Sequence, residues 1–218
     1  MTVAIGYVHG ELVHARFMDC VVREARQNNV VVIEEGSGPH IAMARNTVVQ
    51  KFLATGIEWL YMADTDTMWD SRTIPKLLSN NKAAVSGLVM QVGEPPFPLM
   101  FRRIADFGFK GAGVFQQIHD YTNGELLQVD AVGAGSLLVH RDAFLAIAKQ
   151  MPRFVAQWFE QESVGDNLIT EDFTFCIRLA KAGIPMYVDT GATIGHLKTV
   201  VLRALPRAWQ PLPRPGLG

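Results

Sequence analysis

Cysteine and long apolar runs are the scarcest features of this 218-residue sequence. It has two cysteines, Cys20 and Cys176, each inside an apolar helical pattern, so we expect buried, reduced thiols and a reducing compartment. No apolar stretch approaches the about 20 residues that cross a membrane, and the N-terminus lacks the basic and apolar regions of a signal peptide. These absences predict a cytoplasmic protein without a membrane span.

An excess of charge of one sign is also missing: 20 lysines and arginines stand against 21 acids, for a formal net charge of −1. No overall basic excess therefore indicates nucleic-acid binding. After Asp189 there is no further acid, and the residues that follow predict a basic, proline-rich tail at residues 201–218. With 49% hydrophobic and 19% charged residues, the composition is typical of one soluble globular domain.

The spacing of apolar residues predicts alternating strands and helices over the first 91 residues. Strands are predicted at residues 2–8, 29–38, 57–63 and 83–91, and helices at residues 11–28, 39–56 and 73–80. Such alternation is typical of an α/β fold with a mostly parallel sheet flanked by helices. From residue 91 the pattern is irregular and predicts a smaller β part, with helices at residues 141–150 and 171–183 and a last strand at residues 184–190.

The apolar run "IEWLYMA" ends directly in two aspartates, Asp64 and Asp66. A solvated turn is one interpretation, because aspartate is a common turn residue. A metal site is the other, since side chains at i and i+2 of an extended segment point the same way. In open α/β sheets ligands bind beyond the carboxyl ends of the strands, and Glu34 and Glu35 also follow a predicted strand. This placement favours the metal site.

Three stretches in the same order resemble one family: "ARNTVVQKFLATGIEWLYMADTD", "VGAGSLLVHRDAF" and "TEDFTFCIRLAKAGIPMYVDTGATIGHL". The family is that of GT-A-fold glycosyltransferases of the family-two type, in their small bacterial or phage form. The first stretch resembles their Arg-Asn helix and the following Asp-x-Asp strand, and the second resembles their glycine-rich strand. The third resembles their Glu-Asp helix with the strand and histidine that follow it. The resemblance implies a single-domain, Rossmann-like GT-A fold over residues 1–200. Its nucleotide-binding half would span residues 1–90 and its acceptor and catalytic half residues 91–200.

The resemblance also implies a metal-dependent transfer of a sugar from a nucleotide diphosphate sugar. Asp64, Asp66 and His196 would hold Mn²⁺ or Mg²⁺ on the diphosphate, with Asp64 also facing the ribose, because hard divalent cations prefer oxygen ligands and Mn²⁺ accepts an imidazole. Arg45 would approach the base or the diphosphate. By position alone, at the end of a predicted strand, Glu34 or Glu35 would accept from the nucleobase. The loop "VHGELVHARF" departs from the family's nucleotide loop, so UDP is a default donor nucleotide.

On the acceptor side, the resemblance implies an inverting reaction with Asp172 as the general base and Glu171 orienting the acceptor. Gly133, Gly135 and Ser136 would lie close to the donor sugar. Trp158 and Phe159 would line the acceptor or sugar pocket. The acids, the glycines and the aromatic pair each also have a purely structural explanation. Thr170 with the two acids fits a helix N-terminus, the glycines fit a bulge, and the aromatic pair fits the core.

A nucleotidyltransferase would share an α/β nucleotide site, but "GYVHGELVHAR" is a poor version of the glycine-rich, basic loop it needs after the first strand. Two other functions are compatible with the motifs. "YMADTDT" also fits the nucleophile motif of haloacid-dehalogenase-type phosphatases, in which Asp64 would attack phosphorus and Asp66 would protonate the leaving group. A non-catalytic sugar- or nucleotide-binding protein is the second alternative. The sequence leaves the acceptor open among a protein, a glycan, a lipid carrier and a modified nucleic-acid base, and leaves the oligomeric state open.

Overall fold

A computed structural model describes residues 2–28, 30–106, 113–151, 157–164 and 167–199. The first half alternates strands and helices: β1 (Val3–His9), α1 (Ala15–Asn28), β2 (Val31–Gly36), α2 (Ile41–Thr55), β3 (Trp59–Ala63), β4 (Thr67–Met68), α3 (Thr73–Ser79) and β5 (Ala84–Gln91). The second half is richer in short strands: β6 (Phe97–Pro98), β7 (Met100–Asp106), β8 (Gly113–Gln117), β9 (Leu126–Val129), β10 (Ala131–Val132), β11 (Ser136–His140), α4 (Arg141–Lys149), β12 (Glu162–Val164), β13 (Asn167–Ile169), α5 (Glu171–Lys181) and β14 (Met186–His196).

The central sheet has the strand order β2-β1-β3-β11-β5-β14-β4. Strand β1 pairs in parallel with β2 and β3, and β5 pairs in parallel with β14. Strand β11 is antiparallel to both β3 and β5, so those two strands run in the same direction. The predicted mostly parallel sheet flanked by helices is therefore confirmed. As a consequence, the carboxyl ends of β3 and β14 lie at the same edge of the sheet.

A smaller β part lies beside this sheet, as the sequence predicted. Strands β10, β7 and β8 form a three-stranded antiparallel sheet, and β12 and β13 form a hairpin. Strand β10 leads through a glycine-containing turn into β11, and the β12–β13 hairpin leads directly into α5. The smaller β part is thus joined to the two segments that resemble the family's catalytic half.

Both faces of the central sheet are covered by helices. Along β3, Leu60 and Met62 belong to one buried cluster and Tyr61 to the other, because successive side chains of a strand point to opposite faces. Helices α2, α4 and α5 pack on the first face, with Phe52, Phe144 and Phe175 among their buried residues, whereas α1 and α3 pack on the second face. The sheet is therefore rigidly held on both sides, which fixes the positions of its strand ends.

Several boundaries differ from the predictions. Helix α1 begins at Ala15 rather than at residue 11, because residues 11–14 connect β1 to the helix, and Leu12 is 90% exposed there. Helix α2 begins at Ile41 and ends at Thr55, and the predicted terminating glycine, Gly56, follows it with a φ of 76°, in the left-handed region that favours glycine. Cys20 and Cys176 are both free and buried, as expected. The predicted tail at residues 201–218 lies outside the described residues.

None of the helices in the described ranges is long and apolar enough to cross a membrane.

Candidate functional site

The two aspartates that follow β3 lie in a tight turn. The backbone N–H of Thr67 donates to the carbonyl of Asp64 at 2.9 Å, and the Thr67 hydroxyl donates to the same carbonyl at 2.7 Å. The expectation that Asp64 and Asp66 project together from an extended segment is wrong, because the turn returns the chain into β4. The two carboxylates consequently have different partners.

The pairing of β4 with the end of β14 brings Asp66 to His196. Thr67 is directly opposite His196 in this antiparallel pair, and the His196 Nε2 atom lies 3.1 Å from Asp66 Oδ2. The other ring nitrogen, Nδ1, lies 2.9 Å from the carbonyl oxygen of Met90. Since a carbonyl only accepts, this contact requires the proton on Nδ1. The Nε2 side of the ring therefore faces Asp66, while Nδ1–H is bound to a backbone carbonyl, as is common for histidines that bind a metal through Nε2.

Asp66 also accepts a hydrogen bond from Lys198, whose Nζ atom lies 2.7 Å from Oδ2. Burial alone would raise the pKa of the Asp66 carboxyl, but the hydrogen bond from Lys198 and the charge of His196 lower this pKa below its ordinary value. Asp66 is therefore ionised at neutral pH, as a metal ligand must be.

The residues around Asp66 fit a divalent cation that arrives with a phosphate ligand. Within the described ranges, no three side chains of the His, Cys, Asp and Glu types are arranged to hold an ion alone. Two ligands at right angles, each about 2.1 Å from a cation, are about 3.0 Å apart, close to the 3.1 Å between Asp66 Oδ2 and His196 Nε2. Ions such as Mg²⁺ are commonly bound by one or two protein ligands together with substrate phosphates and water.

Asp64 is held by a buried arginine from α2. The Arg45 side chain is 5% exposed, and it donates to Asp64 Oδ1 at 2.8 Å and to Glu171 Oε1 at 2.9 Å. Burial would lower the pKa of Arg45, but the charges of Asp64, Glu171 and Asp172 together raise this pKa above its ordinary value. Arg45 thus links the end of β3 to the first turn of α5, and its predicted contact with the nucleotide remains untested.

Asn46, the next residue of α2, holds the chain segment before the β12–β13 hairpin. Its side-chain amide donates to the carbonyl of Phe159 at 2.8 Å and accepts from the N–H of Phe159 at 2.9 Å. The Phe159 ring in turn lies 5.8 Å from the Arg45 guanidinium. These contacts explain why an Arg-Asn pair is useful on this helix: Arg45 binds the acids, and Asn46 binds the backbone beside them.

Asp172 lies in the first turn of α5, with one carboxylate oxygen fixed. Thr170, at the N-cap position, donates its hydroxyl to Asp172 Oδ1, and the Phe173 N–H donates to the same atom at 2.9 Å. The Thr170 side chain therefore contacts the acid rather than capping the helix backbone. A methyl group added at Gly133 would lie 3.8 Å from Asp172 Oδ2, so this second oxygen faces the glycine turn.

The glycine turn between β10 and β11 separates Asp172 from Asp64. A Cβ atom at Gly135 would lie 3.4 Å from Asp64 Oδ2, which is the carboxylate oxygen that does not accept the hydrogen bond from Arg45. Ser136 has no exposed side chain, and its hydroxyl contacts the Tyr61 hydroxyl at 2.9 Å inside the sheet. The turn therefore offers backbone to the space between the two carboxylates, whereas the Ser136 hydroxyl does not face that space.

The remaining predicted residues are distributed around the site. Glu34 is exposed on β2 and accepts a hydrogen bond of 2.9 Å from the Tyr7 hydroxyl. Burial of that hydroxyl, together with the Glu34 carboxylate, raises the pKa of Tyr7 to about 12. Glu35 forms an ion pair with Lys51 at 2.7 Å. Trp158 and Phe159 are 4% and 1% exposed and pack in the core beside α4 and α5. Their predicted contact with an acceptor remains a prediction, and their observed contacts are structural.

Sequence reasoning missed two residues of this site. Lys198 had no assigned role, although it follows His196 by two residues and contacts Asp66. Asn46 was part of a recognised motif but had no assigned role. Its partner is the backbone of Phe159, 113 residues away, and no local pattern predicts such a contact.

Searches with the sequence alone find no relatives: no protein-family model matches the chain, and no curated protein matches it significantly. Comparison with solved structures does find similar folds. The structure of A197 from STIV has a TM-score of 0.55 at 14% identity, over 95% of this chain and 100% of that one. GalNAc-T7, solved with UDP, GalNAc and Mn²⁺, has a TM-score of 0.59 at 12% identity over 90% of this chain.

This chain spans 44% of the GalNAc-T7 chain, so it corresponds to less than half of that protein. At identities this low, a structural likeness shows the fold and nothing finer. The chain has a GT-A-like glycosyltransferase fold, and the fold class predicted from the three sequence motifs is confirmed.

Proposed function

We propose that this protein is a glycosyltransferase that moves a sugar from a nucleotide diphosphate sugar to an acceptor hydroxyl. The observation that carries the proposal is the approach of Asp66 Oδ2 to His196 Nε2, at 3.1 Å, on the ligand edge of the sheet. The fold supports a nucleotide-sugar donor. Because the GalNAc-T7 structure contains UDP and Mn²⁺, UDP-sugars with Mn²⁺ are the first combination to test, and Mg²⁺ is the second.

The charge of the site supports a divalent cation. The four carboxylates of Asp64, Asp66, Glu171 and Asp172 outnumber the basic groups of Arg45, Lys198 and His196 that contact them. Asp66 and His196 would hold the ion together with the diphosphate, whereas Asp64 is bound by Arg45. When bound, the cation would stabilise the charge of the departing nucleoside diphosphate as a Lewis acid.

Asp172 would accept the proton of the acceptor hydroxyl. Its Oδ1 atom is fixed by Thr170 and Phe173, so Oδ2 is held in one direction, toward Gly133. A carboxylate in the first turn of α5 with one oxygen left toward the glycine turn can accept a proton from an acceptor hydroxyl there. An acceptor oxygen activated in this way would attack the anomeric carbon and invert its configuration.

Arg45 would couple the two halves of the site. It binds Asp64 from residues 1–90 and Glu171 from residues 91–200, and thereby fixes the donor-side carboxylate relative to the helix that carries Asp172. Glu171 would act through Arg45 rather than through the acceptor. On the donor side, Gly135 would allow the sugar to approach the backbone, and Glu34 would accept from the nucleobase.

Calorimetric titration tests the donor and the metal together. UDP, GDP and their common sugars are titrated into the protein with Mn²⁺ and then with EDTA. We expect micromolar binding of one nucleotide that requires the metal and is lost in Asp66→Ala. Asp70→Ala is the matched control, because Asp70 lies four residues later and its ion pair is with the exposed Arg72. Nucleotide binding that is unchanged by EDTA and by Asp66→Ala would contradict the proposed site.

The stereochemistry is tested by NMR of the first product formed from a defined donor. We expect the anomeric configuration opposite to that of the donor. A product with retained configuration would remove Asp172 from the role of base. Asp172→Asn should abolish transfer while it preserves nucleotide binding, since the carboxylate acts on the acceptor.

The phosphatase alternative has less support. In that family the nucleophile strand normally comes first in the core, whereas β3 is the third strand of this chain. Arg45 also occupies Oδ1 of Asp64, the proposed nucleophile. Hydrolysis of a generic phosphate ester without any nucleotide binding would favour this alternative. Metal-dependent nucleotide binding without product from any sugar donor would instead favour a non-catalytic binding protein.

A further inference from the structure

Two basic side chains, one at the end of β14 and one just after it, contact the carboxylate of Asp66. Lys198 Nζ and His196 Nε2 lie 2.7 Å and 3.1 Å from the same carboxylate oxygen, Oδ2. Between these residues, the backbone N–H of Leu197 donates to the Asp66 carbonyl. The lysine is therefore held close to the carboxylate by its backbone as well as by its charge.

The ammonium group of Lys198 is bound to the same carboxylate oxygen that a metal ion would need. A cation held by Asp66 and His196 must approach Oδ2, which already accepts the lysine hydrogen bond. Two cations on one carboxylate oxygen repel each other, so the lysine must leave when the ion binds. The Lys198 side chain is 33% exposed, so its ammonium can move into solvent or toward another anion.

We propose that Lys198 is an internal counter-ion of Asp66 that competes with the divalent cation and couples metal binding to nucleotide binding. This inference rests on the proposed function. Without nucleotide, the metal must break the Lys198–Asp66 ion pair and binds weakly. With a nucleoside diphosphate present, the displaced ammonium pairs with the anionic phosphate oxygens, so metal and nucleotide each strengthen the binding of the other.

The test measures Mn²⁺ binding directly, by the EPR signal of free Mn²⁺ over a titration of the full chain. Lys198→Gln should bind Mn²⁺ alone about tenfold more tightly than the wild type, because a hydrogen bond to a charged group contributes on that order. Lys198→Arg keeps the charge and should keep the weak wild-type affinity. Lys82→Gln is the matched control: it removes an equal charge just before β5, where Lys82 contacts the Tyr187 ring, and should leave the affinity unchanged.

A second titration, with saturating UDP, measures the coupling. UDP should tighten Mn²⁺ binding in the wild type, and this gain should shrink in Lys198→Gln. Equal Mn²⁺ affinity in the wild type and Lys198→Gln, with metal-dependent UDP binding intact in both, would overturn the inference and leave the proposed function standing. Absence of Mn²⁺ binding from every variant, with and without UDP, would overturn both. Far-UV circular dichroism confirms that each variant is folded.

Discussion

Replacing Arg45 by methionine should destabilise the protein severely. The substitution keeps an unbranched apolar stem but removes the guanidinium group and its two hydrogen bonds, at 2.8 Å and 2.9 Å, to Asp64 and Glu171. The Glu171 side chain is 10% exposed, so water cannot replace the lost partner, whereas Asp64 is 35% exposed and can be hydrated. Removing one partner of a buried ion pair costs about 3–5 kcal/mol, most of it here from Glu171.

Urea unfolding followed by circular dichroism measures this loss as a change in the free energy of unfolding. The control is Arg72→Met, because Arg72 and Asp70 form an exposed pair, for which a loss of less than about 0.5 kcal/mol is expected. Adding Glu171→Gln to Arg45→Met should recover part of the loss, since it removes the uncompensated buried charge. A loss below about 1 kcal/mol in Arg45→Met would refute the view that this arginine holds the two carboxylates.

Three further substitutions or reactions test the surrounding structure. Gly87→Ala should lower the free energy of unfolding by about 1–3 kcal/mol, because the new Cβ would lie 2.8 Å from a backbone oxygen of β14. Gly36→Ala is the control, since a Cβ there meets nothing within 4 Å. Equal urea midpoints for the two variants would contradict the close packing at Gly87. Asn46→Ala should cost about 2 kcal/mol, measured in the same way, since it leaves a buried backbone N–H and C=O unpaired; an unchanged midpoint would show that these bonds add nothing. Cys20 and Cys176 should react with a thiol reagent only in denaturant, because both are buried and burial raises the pKa of Cys176 to about 12; rapid labelling of the native protein at pH 8 would refute this.

The sequence predicted the features that depend on local patterns. The alternation of apolar segments predicted the central sheet and the helices that flank it, and the carboxyl end of the predicted third strand correctly placed Asp64 at an edge of the sheet. The fold predictions succeeded because periodicity and strand direction are encoded within short stretches of sequence. The last strand, however, continues beyond its predicted end at residue 190 to His196, and the role of that histidine as a metal ligand stays a prediction.

The contacts made at the strand ends could not be predicted in the same way. The turn at Asp64 directs the two carboxylates to different partners, and a pattern of i and i+2 does not distinguish a turn from a strand. Arg45 contacts residues 19 and 126 positions away, and Lys198 contacts a residue 132 positions away. Such pairs depend on how the whole chain folds. The local sequence therefore does not distinguish an exposed arginine that faces a nucleotide from a buried arginine that bridges two acids.

The most direct test of the central claim is the release of nucleoside diphosphate from a panel of nucleotide sugars, measured by liquid chromatography with Mn²⁺ and with EDTA. Without an acceptor, water can take the place of the acceptor hydroxyl. We predict that one donor yields free nucleoside diphosphate and sugar, and that EDTA or Asp66→Ala abolishes this release while Asp70→Ala does not. Failure of every donor, or release of nucleoside monophosphate or orthophosphate instead, would contradict a glycosyltransferase with its metal at Asp66 and His196.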